Sequence, residues 1–456
     1  MLAKMSKILW PIVALYPLAY LNLTMPEEMN SAAFQVVNFI LGLFCVLRIF
    51  PLGRKRRITT DAVTYMFIYI FFVVAPLYQY KEKVTFWSAQ HLSEEQFFFT
   101  TVLLLLAVLI YAIFYRFFLG KWCRHTHTYE LYCNEREEIP RNRIWLLALA
   151  GIATVITLFA YRHSPELLFF RKIKGAAISS EFSNTSANLL FSQVIRPIPV
   201  ILTSLYLFIY KRYDLYFLAL ACMTVVSNFP LSLPRFYVAG VYIPLVFAVW
   251  KSLIDRPITF RMILLAGILY VFPFLNQGRT VKKAEEIEFS FEPNYDMFLH
   301  GHFDAFQNGA RVMMNDLVTW GNQLIGCIFF WVPRSMWPNK PIGSGGFIAE
   351  EFHLRFDHIS VNYWAEGWIN YGMAGMLVFS VILAFINAKC DFIFWHRRHS
   401  LLFTYDFLLY LGMIIFILRG DMISSVAFIV GFLVSAYLCY KVCIKTVEPK
   451  TNKEGE

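Results

Sequence analysis

Charge is scarce in this sequence. Asp, Glu, Lys and Arg make up only 16% of its 456 residues, and the apolar set reaches 58%. Globular domains run at about 25% charged and 45–50% apolar. A disordered chain is excluded, and the apolar surplus is more than a soluble core absorbs. Cysteine is sparse as well. Seven of the eight fall in apolar runs or in the basic segments between them, which excludes a disulfide framework. The glycine run Gly343–Gly346 lacks the Gly-Lys-Ser/Thr ending of a phosphate-binding loop and reads as a turn. No internal repeat is visible, which argues against a repeat-built carrier. Cys123, His125, His127 and Cys133 lie close together but match no closed zinc pattern, so no metal is expected.

Long apolar runs are what the chain has in abundance, with a mean hydropathy of +0.52. A membrane span needs about 20 mostly apolar residues. Twelve runs approach that description: 8–23, 33–50, 62–79, 97–119, 144–161, 188–210, 215–229, 236–250, 262–276, 367–388, 401–418 and 422–440. The expected fold is an all-α polytopic membrane protein, one transmembrane domain over 1–456, with a large loop over 277–366 between the ninth and tenth spans. The N-terminus has Lys4 and Lys7 before an apolar run but no small-residue cleavage site, so it reads as an uncleaved span.

Basic residues orient the chain. With the N-terminus in the cytoplasm, 25 of the 41 Lys and Arg fall inside and 16 outside, against 12 and 19 of the 31 acids. The net charge of +10 thus divides into +13 inside and −3 outside. That excess is a topology signal rather than a nucleic-acid footprint. Both termini are expected in the cytoplasm, and the 277–366 loop on the outer side.

Basic residues retained on the outer side then become informative, because positive-inside selection depletes them there. Arg196 lies in the sixth span or at its edge, followed by Pro197 and Pro199; an arginine at mid-bilayer costs roughly 2.5–3.5 kcal/mol. Arg171 follows the fifth span, Arg235 precedes the eighth and Arg279 follows the ninth. Arg311, Arg334, Lys340 and Arg355 lie in the large loop. Arginine's planar fork suits phosphate oxygens, so an anionic ligand is expected; pairing with the outer acids is the alternative. Arg419-Gly-Asp421 reads simply as the turn between the last two spans.

Within the loop, Phe303, Phe306, Met313, Leu317, Trp320 and Leu324 recur at helical spacing, and the apolar run 325–332 is too short to span. Helices lying on the outer leaflet or forming a packed lid both fit. The stretch Val332–Gly345 contains three prolines, stiffening a segment from which Arg334, Trp337 and Lys340 are expected to point, and tryptophan stacks well on sugar faces.

Three segments, His302–Asn308, Val332–Gly345 and Ala365–Gly372, resemble the Wzy-type O-antigen polymerases, the oligosaccharide repeat-unit polymerases of bacteria. The Pro-Arg-Ser-x-Trp-Pro-x-Lys-Pro motif at 333–341 is the most specific of them. The resemblance implies a membrane glycosyltransferase of the GT-C type in the bacterial inner membrane. Such an enzyme moves a growing glycan from undecaprenyl diphosphate onto the next lipid-linked repeat unit on the periplasmic side. The lipid-linked oligosaccharide is then both donor and acceptor, no cofactor is needed, and a separate chain-length regulator is the implied partner. An O-antigen ligase acting on lipid A-core and a polysaccharide flippase stand as alternatives.

Such chemistry needs cations where negative charge develops on the leaving diphosphate, and a base near the acceptor hydroxyl. For the diphosphate, the expected residues are Arg171, Arg196, Arg235, Arg279 and Arg334, supported by Lys340. For the base they are Glu366, Asp304 and His302. Glu366 leads, because desolvation at the outer end of its span suits a base; Asp304 also fits a helix cap.

Overall fold

A computed structural model describes residues 2–26, 32–51, 57–124, 137–170, 185–266, 295–396 and 400–447. Helix accounts for 77% of the structure. The chain opens with helices α1 (Leu2–Leu23), α2 (Ala32–Ile49), α3 (Thr60–Lys81), α4 (Glu94–Arg124), α5 (Ile144–Ala160), α6 (Ala187–Tyr210), α7 (Leu215–Ser227), α8 (Arg235–Val249) and α9 (Pro257–Ala266). Short helices α10 (Ala305–Met314), α11 (Asn322–Ile328) and α12 (Ser344–Glu351) follow. The chain then runs through α13 (Tyr363–His396), α14 (Leu401–Arg419) and α15 (Met422–Cys443).

Among the described residues, eight helices are long and apolar enough to cross a membrane. Others are shorter. The 15 residues of α8 rise only about 22 Å at 1.5 Å each, against a hydrocarbon core of about 30 Å. Of the ninth expected span, only the part in α9 is described. An addition to the all-α expectation is a two-stranded antiparallel sheet, β1 (Glu137–Pro140) on β2 (Ile444–Val447), which pairs Ile139 with Lys445.

Two helices carry π-helical turns, each just ahead of proline. In α3 the segment Tyr69–Val74 precedes Pro76, and in α6 Phe191–Ile195 precedes Pro197 and Pro199. Proline lacks the N–H and crowds the carbonyl four residues back; widening the preceding turn relieves both problems. The third break lies in α13, where Tyr371 (φ −148°, ψ 32°) and Gly372 (φ 60°, ψ −150°) divide the helix into a short leading segment and a long one.

The chain forms two compact units. The first comprises residues 1–115, 253–387 and 414–426; the second comprises 116–252, 388–413 and 427–456. The core of the first unit is aromatic. Phe97 stacks on Phe306 at 5.5 Å and meets Phe34 and Tyr80, while Phe72 packs against Trp364. Helix α3 is buried throughout its apolar window, as a helix apolar on all sides should be. In the second unit, Glu138 of β1 accepts hydrogen bonds from the Ser400 hydroxyl, the Leu401 amide and the Tyr440 hydroxyl. The hairpin is thereby tied to the start of α14.

Helix α10 corrects the leaflet reading of the large loop. Ala305–Met313 are all buried, so this helix is packed within the first unit. In and beside α11, by contrast, Trp320, Ile325, Ile328, Phe329 and Trp331 are exposed.

Candidate active site

Glu366 stands in the first turn of α13 and is only 1% exposed. Its carboxylate accepts the Ser344 hydroxyl at 2.8 Å and the Met422 amide at 2.9 Å. Among the described residues it forms no ion pair. Ser344 opens α12, so the glycine run expected to be a turn is instead a helix start, with Gly343 as its N-terminal cap residue. A larger residue there would have to displace a neighbouring carboxylate. A β-carbon on Gly343 would come within 2.4 Å of Asp421 Oδ2.

Asp421 is the second carboxyl group at this place. It caps α15 by accepting the amides of Ile423 (2.9 Å) and Ser424 (3.3 Å) and the Ser424 hydroxyl (2.9 Å). Burial raises the Asp421 carboxyl above the usual range, and these three donors oppose the rise. Nearby Cys327 is buried, and its thiol is pushed up to about 12 by desolvation and by the charges of Glu366 and Asp421. The thiol is therefore protonated and unreactive at neutral pH.

Asp304 lies on the same turn's other flank, through Arg419. Its carboxylate accepts Trp87 Nε1 (2.8 Å), Asn308 Nδ2 (3.0 Å), the Ser360 amide (3.3 Å) and Arg419 Nη2 (3.5 Å). It does not cap α10 with its side chain, which overturns the capping alternative. Four donors commit its lone pairs, so it holds structure together rather than awaiting a substrate proton. Arg419 also donates to the carbonyls of His302 (2.7 Å) and Gly301 (3.4 Å). His302 is half-buried in the short turn Gly301–Phe303. Arg311 is buried beside Asn308 and Gln307, and desolvation lowers its guanidinium to about 10 although Asp304 opposes this.

The proline-rich stretch differs from its expected form. Arg334 donates to the carbonyls of Lys340 (2.6 Å) and Pro341 (3.1 Å), and Lys340 donates to those of Phe330 (2.6 Å) and Val332 (3.0 Å). Both cations turn back and brace their own loop, because proline-rich backbone offers many carbonyls and few amides to satisfy them. Trp337 is half-buried. Burial, followed by the neighbouring Arg334, lowers the Lys340 ammonium from its ordinary range.

Arg196 and Arg235 belong to the second unit. Arg196 is buried, and donates to Tyr161 Oη (2.8 Å), the Ser227 carbonyl (3.0 Å) and Ser232 Oγ (3.2 Å). Its own carbonyl accepts Asn228 Nδ2 at 2.8 Å. Its fork is therefore occupied by protein. Arg235 is half-buried as the first residue of α8. Arg171 and Arg279 lie outside the described residues, as do His125, His127 and Cys133. The seven described cysteines are free, and among the described residues no cluster of three metal-ligating side chains occurs.

Ser344, Arg419 and Asp421 were not singled out from the sequence. A signal for Arg419 was present: it is a basic residue in a turn expected on the outer side, the same feature that marked Arg235. Compared with family models, curated proteins and solved structures, the chain matches none of them.

Proposed function

We propose that this chain is a Wzy-type polymerase, extending a glycan carried on undecaprenyl diphosphate with lipid-linked repeat units at the outer face of the bacterial inner membrane. The observation that carries this reading is the convergence of the three resembling segments on one place in the first unit. Ser344, at the end of the proline-rich segment, donates to Glu366 of the third segment. Asn362 joins the first and third segments, with its amide on the Ala305 carbonyl (2.8 Å) and its oxygen accepting the Ala365 amide (2.9 Å).

Glu366 is the group best suited to take the acceptor hydroxyl's proton. It is buried, it is held by two neutral donors, and Asp421 stands beside it. Ser344 and the Met422 amide orient its carboxylate, leaving lone pairs for a substrate hydroxyl. The acceptor oxygen attacks the anomeric carbon of the donor sugar as the bond to diphosphate breaks, and the diphosphate leaves with the bonding electron pair. Arg334, with Lys340 in support, is proposed for the charge that develops there, each exchanging the loop carbonyls it holds for diphosphate oxygens. Arg196, whose donors are likewise committed, and Arg235 belong to the second unit, and Arg171 and Arg279 lie outside the described residues.

The carrier alternative calls for paired charges at mid-bilayer. In the first unit the part-buried pair Arg48–Asp61 (3.0 Å) sits at helix ends, in the last turn of α2 and the first of α3. That placement favours the enzyme. The test is deletion of the gene followed by display of the surface glycan. A single repeat unit on the lipid core supports the polymerase, and a core without any repeat contradicts it.

A further inference from the structure

The hairpin in the second unit opens a cleft of about 500 Å³, lined by Ile139, Pro140, Arg141, Asn142, Trp145 and Lys445. Arg141 and Lys445 are exposed, and among the described residues neither side chain makes a hydrogen bond or ion pair. This contrasts with Arg143, two residues on, which is consumed by Asp214 (2.9 Å) and lies over the Tyr210 ring. Backbone bonds fix the cationic pair in place: Ile139 is in register with Lys445, and the Arg141 amide donates to the Cys443 carbonyl at 2.8 Å. The Arg141 carbonyl is in turn held by Tyr210 Oη at 2.7 Å.

An apolar stripe leads directly away from the cleft. Along α5, Ile144 (58%), Ala148, Ile152, Val155 (65%) and Phe159 are exposed at the three- and four-residue spacing of one helix face, with exposed Trp145 beside it at the cleft. Two uncommitted cations at the head of a lipid-facing stripe match a molecule with an anionic head and an acyl tail. Tryptophan at the junction suits the level of the headgroups.

We propose that this cleft binds an anionic phospholipid, its phosphate between Arg141 and Lys445 and its acyl chain along the α5 stripe. The assignment does not depend on the polymerase reading. A free phosphate ion satisfies the cations but leaves the stripe unused.

The test uses the full chain, delipidated in detergent, with native mass spectrometry counting bound phosphatidylglycerol or phosphatidylcholine. Each surface cation contributes roughly 1 kcal/mol to anionic-lipid affinity. Arg141→Gln and Lys445→Gln should each weaken phosphatidylglycerol binding about fivefold, and together about 30-fold. Phosphatidylcholine binding should not change. Arg141→Lys keeps the charge and should keep the binding, and the single variants preserve the test if the double variant does not fold. Undiminished phosphatidylglycerol binding in the glutamine variants overturns the proposal. So does displacement of the lipid by millimolar inorganic phosphate, which would mark the cleft as a site for the ion alone.

Discussion

Ser344 and Glu366, 22 residues apart, are joined by a 2.8 Å hydrogen bond from hydroxyl to carboxylate, and the Met422 amide binds the other carboxylate oxygen. One acid is thereby held by three separate parts of the chain. Removing the carboxylate by Glu366→Gln should lower glycan chain growth by about 10²–10⁴-fold, the usual contribution of a positioned base. Ser344→Ala removes only an orienting hydrogen bond to that carboxyl group. Its effect should be smaller, about tenfold or somewhat more. Both are read as polymer length against protein level in complemented deletion cells.

Arg419 and Asp304 form the second linkage, and it should behave as a structural clamp. Asp304→Asn places an amide N–H among groups that are already donors, so it should destabilise the protein by about 1–3 kcal/mol. Adding Arg419→Ala removes one opposed donor and should cost little more. A double-mutant cycle from thermal unfolding in detergent should give a coupling of roughly 0.5–3 kcal/mol. Strict additivity would show that the two side chains do not interact.

The break in α13 depends on two glycines for different reasons. Gly372 occupies a backbone region essentially closed to other residues, with space around its missing β-carbon, where the nearest atom would be Val318 Cγ2 at 3.8 Å. Gly372→Ala should therefore cost about 1–3 kcal/mol, from backbone strain alone. At Gly375 a β-carbon would come within 2.1 Å of the Gly367 carbonyl oxygen. Since that atom is backbone, Gly375→Ala should lower the melting temperature further than Gly372→Ala.

Asp421 gives a dependence on pH. Burial raises its folded-state pKa above the ordinary carboxylate value. The folded form therefore binds its proton more tightly than the unfolded form does, and this group's stabilising effect is full below the unfolded pKa. It is lost as pH rises through the folded one. Asp421→Asn keeps an oxygen for the α15 cap and has no charge to bury. The variant should melt higher than wild type at neutral pH, and the difference should shrink as pH falls toward 4. An unchanged difference across that range would contradict the burial argument.

Much of the fold was legible in the sequence because apolar runs and prolines act locally. The span over 62–79 and the proline at 76 suffice for a buried helix with an altered turn. The fate of α10 was not legible. Phe303, Phe306 and Met313 announce a helix with an apolar face, but only the fold supplies neighbours for its polar face, where Gln307 reaches Gln79 and the Val84 carbonyl. Glu366 could be singled out as an acid at a span's end. Its partners could not, because Ser344 was concealed in a glycine run and Asp421 in a three-residue turn. The direction of Arg334 and Lys340 was misread for a related reason: sequence does not reveal which carbonyls of a proline-rich loop will need donors.

The most direct measurement of the central claim uses purified protein and a synthetic undecaprenyl-diphosphate-linked repeat unit supplied as both donor and acceptor. Products are separated by length, and released undecaprenyl diphosphate is quantified. Wild-type protein should give a ladder of multimers with one lipid diphosphate released per linkage, and folded Glu366→Gln protein should leave the substrate as single units. A ladder of equal extent from the Glu366→Gln protein, or no chain growth from the wild type, would contradict the account.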